Sequence, residues 1–129
     1  MCLAARPVIA FIPVRDLAVA RRFYEHSLGL RVTGETGYAT VLTAGGTSVR
    51  LTQLDDFHPQ PFTLVGWEVP DIAAAVRALA ARGISFTRYE GTTQDADGVW
   101  MTPGGDFVAW FTDPDGNTLS LTSFARRPE

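Results

Sequence analysis

The chain carries an internal sequence repeat, and this repeat restricts the possible folds more than any other feature. Residues Val41–Leu54 (VLTAGGTSVRLTQL) align without a gap on Phe111–Phe124 (FTDPDGNTLSLTSF), at a constant offset of 70. Upstream, Val14–Arg22 (VRDLAVARR) aligns on Val69–Arg77 (VPDIAAAVR), at an offset of 55. Repeated supersecondary units bury their apolar faces by stacking, and two copies can build one site between them. The repeat therefore predicts two equivalent modules.

Length, charge and cysteine content restrict the class of protein. With 129 residues, of which 46% are hydrophobic, the chain fits one globular domain with a real core. The net charge of −3 comes without a long basic cluster, so nucleic acid is not an expected partner. The single cysteine, Cys2, cannot form an internal disulfide, and a reducing compartment fits best. The apolar run after Pro7 is too short for a signal or membrane helix, so we expect a cytoplasmic protein that binds no membrane.

The first copy begins with a strand and a capped helix. The apolar run Val8–Val14 is rich in branched and aromatic residues, which favours a strand. Asp16 follows at an N-cap position, where its carboxylate can accept bonds from the free amides of the first helical turn. Gly29 can adopt the left-handed conformation that ends the helix. Residues 30–54 predict three short strands separated by glycine-containing turns. The apolar stripe of the helix consists of Ala20, Phe23, Tyr24 and Leu28.

The second copy repeats this order after a polar, proline-rich linker at residues 55–61. Thr63–Val69 predicts a strand, and Asp71 predicts a second N-cap. A further strand is predicted at Ile84–Tyr89. The insertion Glu90–Gly105 follows, because the two offsets differ by 15. The remaining elements are the strands Phe107–Phe111 and Thr118–Phe124, the turn Asp113-Pro114-Asp115-Gly116 between them, and an expected loose tail at Arg126–Glu129.

Two copies of a strand, a helix and three strands predict the α+β class. The amphipathic helices must cover one face of mostly antiparallel sheets, because their apolar stripes need a partner. The other face of each sheet is then free to curve around a cleft.

Three motifs account for most of the repeat, namely Val14–Leu30 (VRDLAVARRFYEHSLGL), Val69–Ile84 (VPDIAAAVRALAARGI) and Phe111–Leu121 (FTDPDGNTLSL). With the strands between them, they resemble the vicinal oxygen chelate superfamily, which includes glyoxalase I, extradiol dioxygenases and the fosfomycin- and bleomycin-resistance proteins. The resemblance implies two βαβββ modules that form a U-shaped mixed sheet around a ligand cleft, with the helices on the outer face, in a homodimer. The expected organisation is a single domain at 1–129, with module 1 at about 7–54, the linker at 55–61 and module 2 at about 62–124.

The resemblance also allows a test for a metal site. Metal-using members take ligands from the first and last strand of each module, usually His on the first strand and Glu, His or Gln on the last. The matching positions here are Ile9 and Leu64 on the first strands and Arg50 and Ser120 on the last strands. None of these is a normal ligand for a divalent metal, and Arg50 is an obligate cation that would repel one. We therefore expect no metal and no other cofactor.

Period-two alternation along the strands predicts which side chains would line a cleft. Arg50 could hold a carboxylate or phosphate group of a ligand, and Glu68 could hold a cationic group or accept a proton. The two could instead pair with each other, or Glu68 could simply reach solvent at the end of its strand. The expected ligand-binding residues are Ile9, Phe11, Arg50, Thr52, Leu64, Gly66, Glu68, Trp100, Trp110, Ser120 and Thr122.

Aromatic residues crowd the second module. Trp67 alternates with Glu68 and should therefore face the helix. The register of the last hairpin leaves open whether Trp110 or Phe111 faces the cleft. At the end of the insertion, Trp100 and Met101 could form a lid over a flat ligand or a packed strand, and for Met101 we expect the packed strand.

The preferred interpretation is a metal-independent protein that holds a small organic molecule in the cleft between the modules, similar to the bleomycin-resistance proteins. The alternative is a metal-independent isomerase or lyase, with Glu68 as the base and Arg50 as the anion clamp. A third interpretation is a degenerate member whose scaffold serves only dimerisation. In that case the cleft would be filled by its own side chains. Whether the protein is an enzyme stays open at this point.

Overall fold

The computed structural model describes residues 1–125, and within them the elements follow the order that the repeat predicts. The tail Arg126–Glu129, expected to be loose, lies outside the described residues. A 3₁₀ turn at Leu3–Ala5 precedes the first strand, and a π-helical segment at Phe23–Ser27 continues the first helix. The strands are β1 (Ile9–Val14), β2 (Arg31–Glu35), β3 (Ala39–Ala44), β4 (Thr47–Gln53), β5 (Thr63–Glu68), β6 (Trp100–Met101), β7 (Phe107–Thr112) and β8 (Thr118–Ser123), and the helices are α1 (Leu17–Arg22) and α2 (Ile72–Ala80).

Each module forms its own four-stranded mixed sheet, with the strand orders β1-β4-β3-β2 and β5-β8-β7-β6. The first strand of each module pairs in parallel with the last, and the other pairs are antiparallel. Phe11 pairs with Arg50, and Gly66 pairs with Ser120. Equivalent residues of the two copies therefore occupy equivalent places, and the predicted α+β fold with two βαβββ modules is confirmed.

The chain divides into two compact units, Met1–His58 and the part from Pro59 onward. The boundary falls inside the linker predicted at residues 55–61. Each unit contains one complete βαβββ module with its own sheet and helix. The helix of each unit packs on one face of its own sheet, α1 against β3 and β4 and α2 against β7 and β8.

The first helix begins at its predicted cap, because the Asp16 Oδ1 accepts the amides of Ala18 and Val19 at 2.9 and 3.2 Å. After α1 the backbone widens into the π-helical segment, where the Leu28 amide bonds to the Phe23 carbonyl at 3.0 Å. A π-helical turn contains one residue more than an α-helical turn, and the apolar stripe of the sequence did not indicate it. Gly29, with a φ of 80°, then ends the helix as predicted.

The core of the first unit lies between α1 and the sheet. On β4, Val49 and Leu51 are buried, while Arg50 between them is only partly covered. Ala20 and Tyr24, from the helical side, are fully buried against this face. A fully buried aliphatic side chain contributes about 1.5–3 kcal/mol, so the alternation fixes which face of the sheet receives the helix.

The second helix repeats these features. The Asp71 Oδ1 accepts the amide of Ala74 at 3.1 Å, and Ile72 and Val76 are buried against the sheet. Gly83, with a φ of 91°, follows the end of the helix. Within residues 1–125, no helix combines the length and the apolar character that crossing a membrane requires.

The segment at residues 84–89 is not a strand, which corrects the sequence prediction. Instead, the Gln94 side chain forms hydrogen bonds with two backbone groups of this segment, the Thr87 carbonyl and the Tyr89 amide. Its Nε2 donates to the carbonyls of Thr87 and Gly98 at 2.9 and 2.8 Å, and its Oε1 accepts the Tyr89 amide at 2.8 Å. The segment keeps a backbone bond to β7, because the Thr87 amide donates to the Trp110 carbonyl at 2.7 Å. The strand that pairs along this edge of β7 is the two-residue β6.

The predicted turn between β7 and β8 is present. The Asp113 amide bonds to the Asn117 carbonyl, and the Gly116 amide bonds to the Asp113 carbonyl, both at 3.0 Å. Gly116 has a φ of 88°, a conformation that glycine adopts without a steric penalty. Asp113 is only 5% exposed, because its carboxylate lies inside the turn that it holds.

Candidate functional site

The face of the first sheet that is turned away from α1, called the first open face, carries the predicted residues of the first module. Ile9 and Phe11 are 51% and 59% exposed on β1. Phe11 pairs with Arg50, and Pro13 pairs with Thr52. Paired residues of neighbouring strands project to the same side of a sheet, so these side chains share one face.

Arg50 is the central charge of the first open face. Its neighbours on the adjacent strands are Phe11 and Val41. The Arg50 Nε and the Thr52 Oγ1 are both buried, and neither has a hydrogen-bond partner among the described residues. Buried polar atoms in folded proteins are nearly always hydrogen-bonded, so these two atoms are suited to a bound group. A guanidinium matches the oxygens of a carboxylate or a phosphate.

The face of the second sheet that is turned away from α2, called the second open face, is built around a row across β5, β8 and β7. Gly66 pairs with Ser120, and Ser120 pairs with Trp110. A Cβ at position 66 would lie 2.5 Å from the Ser120 Oγ, so the serine side chain can keep its place only beside glycine. In the next row Glu68 pairs with Thr122. Glu68 is exposed and takes part in no ion pair within the described part of its own unit.

Leu64 lies at an irregularity of the β5–β8 ladder. Thr63 pairs with Thr118, whereas Val65 pairs with Leu119, so Leu64 is the extra residue on β5. A bulge of this kind changes the direction of a side chain relative to strict alternation. Leu64 is 37% exposed, and its place among the candidate residues rests on this exposure rather than on the alternation that predicted it.

Trp110 and Phe111 lie on opposite faces of β7, which answers the question that the sequence left open. Phe111 is fully buried and packs on Trp67 and Phe86, with ring centroids 6.5 and 5.5 Å apart. Trp110 therefore belongs to the second open face, beside Ser120. The expectation that Trp67 faces the helix is confirmed by its stacking on Phe111.

Trp100 and Met101 form strand β6 rather than a lid. Trp100 pairs with Val108 and stacks on Trp110, with centroids 6.0 Å apart and ring planes at 29°. Tyr89 meets Trp110 edge to face, at 5.3 Å and 86°. Met101 is 60% exposed, so the expected strand is confirmed but the expected packing is wrong. A two-residue strand at the edge of a sheet leaves its outer side chain uncovered.

Sequence reasoning missed several residues of the two open faces, among them Ser48, Val108 and Tyr89. Ser48 pairs with Ile9, and Val108 pairs with both Thr122 and Trp100. Both lie two residues from a predicted site residue on the same strand, so the alternation contained the signal. Tyr89 gave no such signal, because its contact with Trp110 depends on an irregular segment.

A separate hollow of about 430 Å³ lies at the start of α2 and is lined in part by Asp71 and Asp95. Asp71 is the helix cap, and the Asp95 Oδ1 accepts the amides of Asp97 and Val99, both at 2.9 Å. These bonds give both carboxylates a structural role. Asp95 and Asp97 both lie in the loop that precedes β6.

The positions at which metal-using relatives hold their ligands do not fit a metal ion in this chain. Ile9 and Leu64 have no donor atom, and Arg50 adds a positive charge beside Phe11. Within residues 1–125, no group of three or more His, Cys, Asp or Glu side chains is arranged to hold a metal ion. Ser120, the fourth position, offers only a neutral hydroxyl, which is a poor ligand on its own.

Comparisons with solved structures show the same fold. A member of the glyoxalase/bleomycin resistance protein/dioxygenase superfamily from Sphaerobacter thermophilus DSM 20745 is 27% identical, with a TM-score of 0.73 over 93% of this chain and 98% of that chain. A glyoxalase/bleomycin resistance protein/dioxygenase from Alicyclobacillus acidocaldarius is 20% identical, with a TM-score of 0.71 over 95% and 93%. A lactoylglutathione lyase from Agrobacterium tumefaciens is 17% identical, with a TM-score of 0.71 over 92% and 93%.

The comparison of sequences gives the family. No curated protein matches the chain. The sequence profile of the Glyoxalase/Bleomycin resistance protein/Dioxygenase superfamily, however, matches residues 6–121, which include both βαβββ modules except for the last two residues of β8. The chain therefore belongs to the glyoxalase/bleomycin resistance protein/dioxygenase superfamily.

Proposed function

We propose that this protein binds a small organic molecule without a metal, and that the open faces of its sheets carry the residues that bind it. Arg50 is the observation that carries the proposal, because its buried Nε has no hydrogen-bond partner among the described residues. A buried donor without a partner is costly, and the partly exposed guanidinium that carries it could bind the oxygens of an anionic ligand group. The exposed side chains of Ile9 and Phe11 would contact the apolar part of the same ligand.

The proposed contacts follow the faces described above. An anionic group would bind at Arg50, with the Thr52 hydroxyl beside it. The second open face would supply further contacts around Ser120 and Glu68. The full proposed set is Ile9, Phe11, Arg50 and Thr52 on the first open face, and Leu64, Gly66, Glu68, Trp100, Trp110, Ser120 and Thr122 on the second.

The test is a thermal-shift experiment on chelator-treated protein with benzoate, phenyl phosphate and the neutral benzamide. A ligand that binds only the native state stabilises it by about 2.7 kcal/mol at a concentration of 100 times Kd. We expect the two anions to raise Tm and benzamide to have little effect. Arg50→Met should abolish the shift, and Arg50→Lys should leave part of it, because lysine keeps the charge but loses the planar fork.

The matched control is Arg22→Met, which removes an exposed arginine of α1 on the helical side of the module. It should leave the anion-dependent shift intact. An unchanged response of Arg50→Met would remove Arg50 from the site. Stabilisation by nickel, zinc or iron ions alone would contradict metal independence.

A second candidate function is a metal-independent isomerase or lyase with Glu68 as the proton acceptor. The observation that favours it is the exposed Glu68 carboxylate, which takes part in no ion pair within the described part of its unit. A base of this kind takes a proton from a carbon acid and returns it. Incubation in D₂O with small 2-oxo acids, followed by NMR, should then show deuterium incorporation that Glu68→Gln abolishes. Incorporation at the same rate in both proteins would exclude Glu68 as the base.

The homodimer and the cytoplasmic location expected from the sequence stay predictions, as does the grouping of both modules into a single domain. Light scattering of the purified protein tests the first. A mass equal to that of one chain across a wide concentration range would contradict the dimer.

A further inference from the structure

The second open face presents an aromatic wall, which consists of Trp100, Trp110 and Tyr89. The two indoles stack with centroids 6.0 Å apart, and Tyr89 meets Trp110 edge to face at 5.3 Å. Both indoles are half-buried and Tyr89 is 41% exposed, so part of the wall remains in contact with solvent. A tryptophan held by two aromatic neighbours has few alternative orientations and offers a fixed surface for stacking.

A flat area, formed by Ser120 and Gly66 and called the step, lies beside this wall. Trp110, Ser120 and Gly66 stand in one row on three neighbouring strands. Strands are about 4.8 Å apart, so Gly66 lies roughly 10 Å from the backbone of Trp110. Gly66 has no side chain and Ser120, which is 7% exposed, has a short one, so these two residues project little above their strands. An aromatic ring stacked on a neighbour lies about 4.5–7 Å from it, which places such a ring above Ser120.

The charge of the second open face is negative. Among the residues of β5 to β8, all of which lie in the described part of the chain, Glu68 is the one with a charged side chain. Glu68 stands in the row next to Gly66 and Ser120, paired with Thr122. It has no basic partner within the described residues of its own unit. A cation bound over Ser120 would therefore meet one uncompensated carboxylate.

We propose that the second open face is a subsite for a flat, cationic aromatic group, which stacks against Trp110 above Ser120 and Gly66 while Glu68 balances its charge. This inference rests on the proposed binding function and adds to it the chemical class of one part of the ligand. Tryptophan is the aromatic side chain that attracts a cation most strongly, and the attraction grows when the cation is partly removed from water. An N-alkylated heteroaromatic ring meets both requirements.

The test measures binding of N-methylquinolinium by calorimetry and by quenching of tryptophan fluorescence. Neutral quinoline has the same shape without the fixed charge, and tetramethylammonium has the charge without the flat ring. We expect N-methylquinolinium to bind about tenfold more tightly than either, which is the range of one cation–π contact. Glu68→Gln should weaken this binding about five- to tenfold, whereas Glu90→Gln, an exposed acid of the same unit outside the sheet, should not.

Gly66→Ala provides a second variant that acts through shape rather than charge. The added methyl group would project beside Ser120, into the space where the ring is proposed to lie, and should weaken the binding of N-methylquinolinium. A melting curve confirms that the variant remains folded. Equal binding of quinoline and N-methylquinolinium, or an unchanged Kd in Glu68→Gln, would overturn the inference. If benzoate binds in an Arg50-dependent way and N-methylquinolinium does not bind, the inference fails and the proposed function stands. If neither compound binds, both fail.

Discussion

The turn between β7 and β8 provides a quantitative test of the structure, because one buried carboxylate holds it. The Asp113 Oδ1 accepts the backbone amides of Asp115 and Asn117, both at 2.9 Å. The Asp113 Oδ2 accepts the Asn117 Nδ2, also at 2.9 Å. Asn117 is 4% exposed, so water cannot readily replace the carboxylate as a partner. The perturbation is Asp113→Ala, which removes the acceptor of all three hydrogen bonds.

The expected cost follows from the donors that lose this partner. A hydrogen bond to a charged group contributes about 1.5–3 kcal/mol, and Asn117 donates two such bonds to the carboxylate, from its backbone amide and its side chain. The Asp115 amide is less buried and adds little. We therefore expect Asp113→Ala to lower the free energy of unfolding by about 3 kcal/mol, which corresponds to a fall in Tm of roughly 10 °C for a chain of this length.

Urea denaturation, fitted with one m-value for all variants, measures the change in the free energy of unfolding. The matched control for the loss of one charge is Asp55→Asn, which changes an exposed acid in the linker. A second variant sharpens the result. Asp113→Asn keeps the shape but replaces the Oδ2 acceptor with an NH2 donor that faces the Asn117 Nδ2 donor. The exchange D113N/N117D restores a donor–acceptor pair. The double variant should be more stable than D113N alone. A loss below about 1 kcal/mol in Asp113→Ala would refute the role assigned to the carboxylate.

Three further perturbations test separate contacts. Gly66→Ala should lower the free energy of unfolding by about 1 kcal/mol more when Ser120 is present than in the Ser120→Ala background, because the new Cβ meets the hydroxyl. Denaturation of the original protein, the two single variants and the double variant measures this coupling. Gln94→Ala should lower the free energy of unfolding by about 2 kcal/mol and speed hydrogen exchange of the Tyr89 amide, since four hydrogen bonds of the side chain are lost. Phe111→Leu should cost about 1–3 kcal/mol in thermal unfolding and weaken the near-ultraviolet dichroism of the stacked rings.

The repeat predicted the fold because both copies obey the same local rules. Asp16 and Asp71 cap their helices, and Gly29 and Gly83 follow their ends with positive φ. These features depend on short segments, which the sequence contains in full. The strand predicted at residues 84–89 was wrong because its pattern satisfies the rule for a strand, whereas two of its backbone groups bind the Gln94 side chain and, in the described part of the chain, only the Thr87 amide binds β7.

The candidate site was predictable where alternation is regular and unpredictable where it is interrupted. Arg50 and Glu68 are on the expected faces because β4 and β5 carry them in regular register. The orientation of Trp110 could not be read from the sequence, because its neighbour Phe111 is equally suited to a core and only the hairpin register separates them. Leu64 was assigned by alternation, but a bulge lies at that residue.

The parallel pairing of first and last strands also determines when each module can be completed during synthesis. Ile9 cannot pair until Ser48 has left the ribosome, and Gly66 cannot pair until Ser120 has done so. Antiparallel neighbours such as β2–β3 and β6–β7 need only local contacts and can pair before the last strand is synthesised. Until its last strand has been synthesised, each nascent module therefore leaves one edge of its first strand without its parallel partner, which is the kind of exposed edge that favours aggregation.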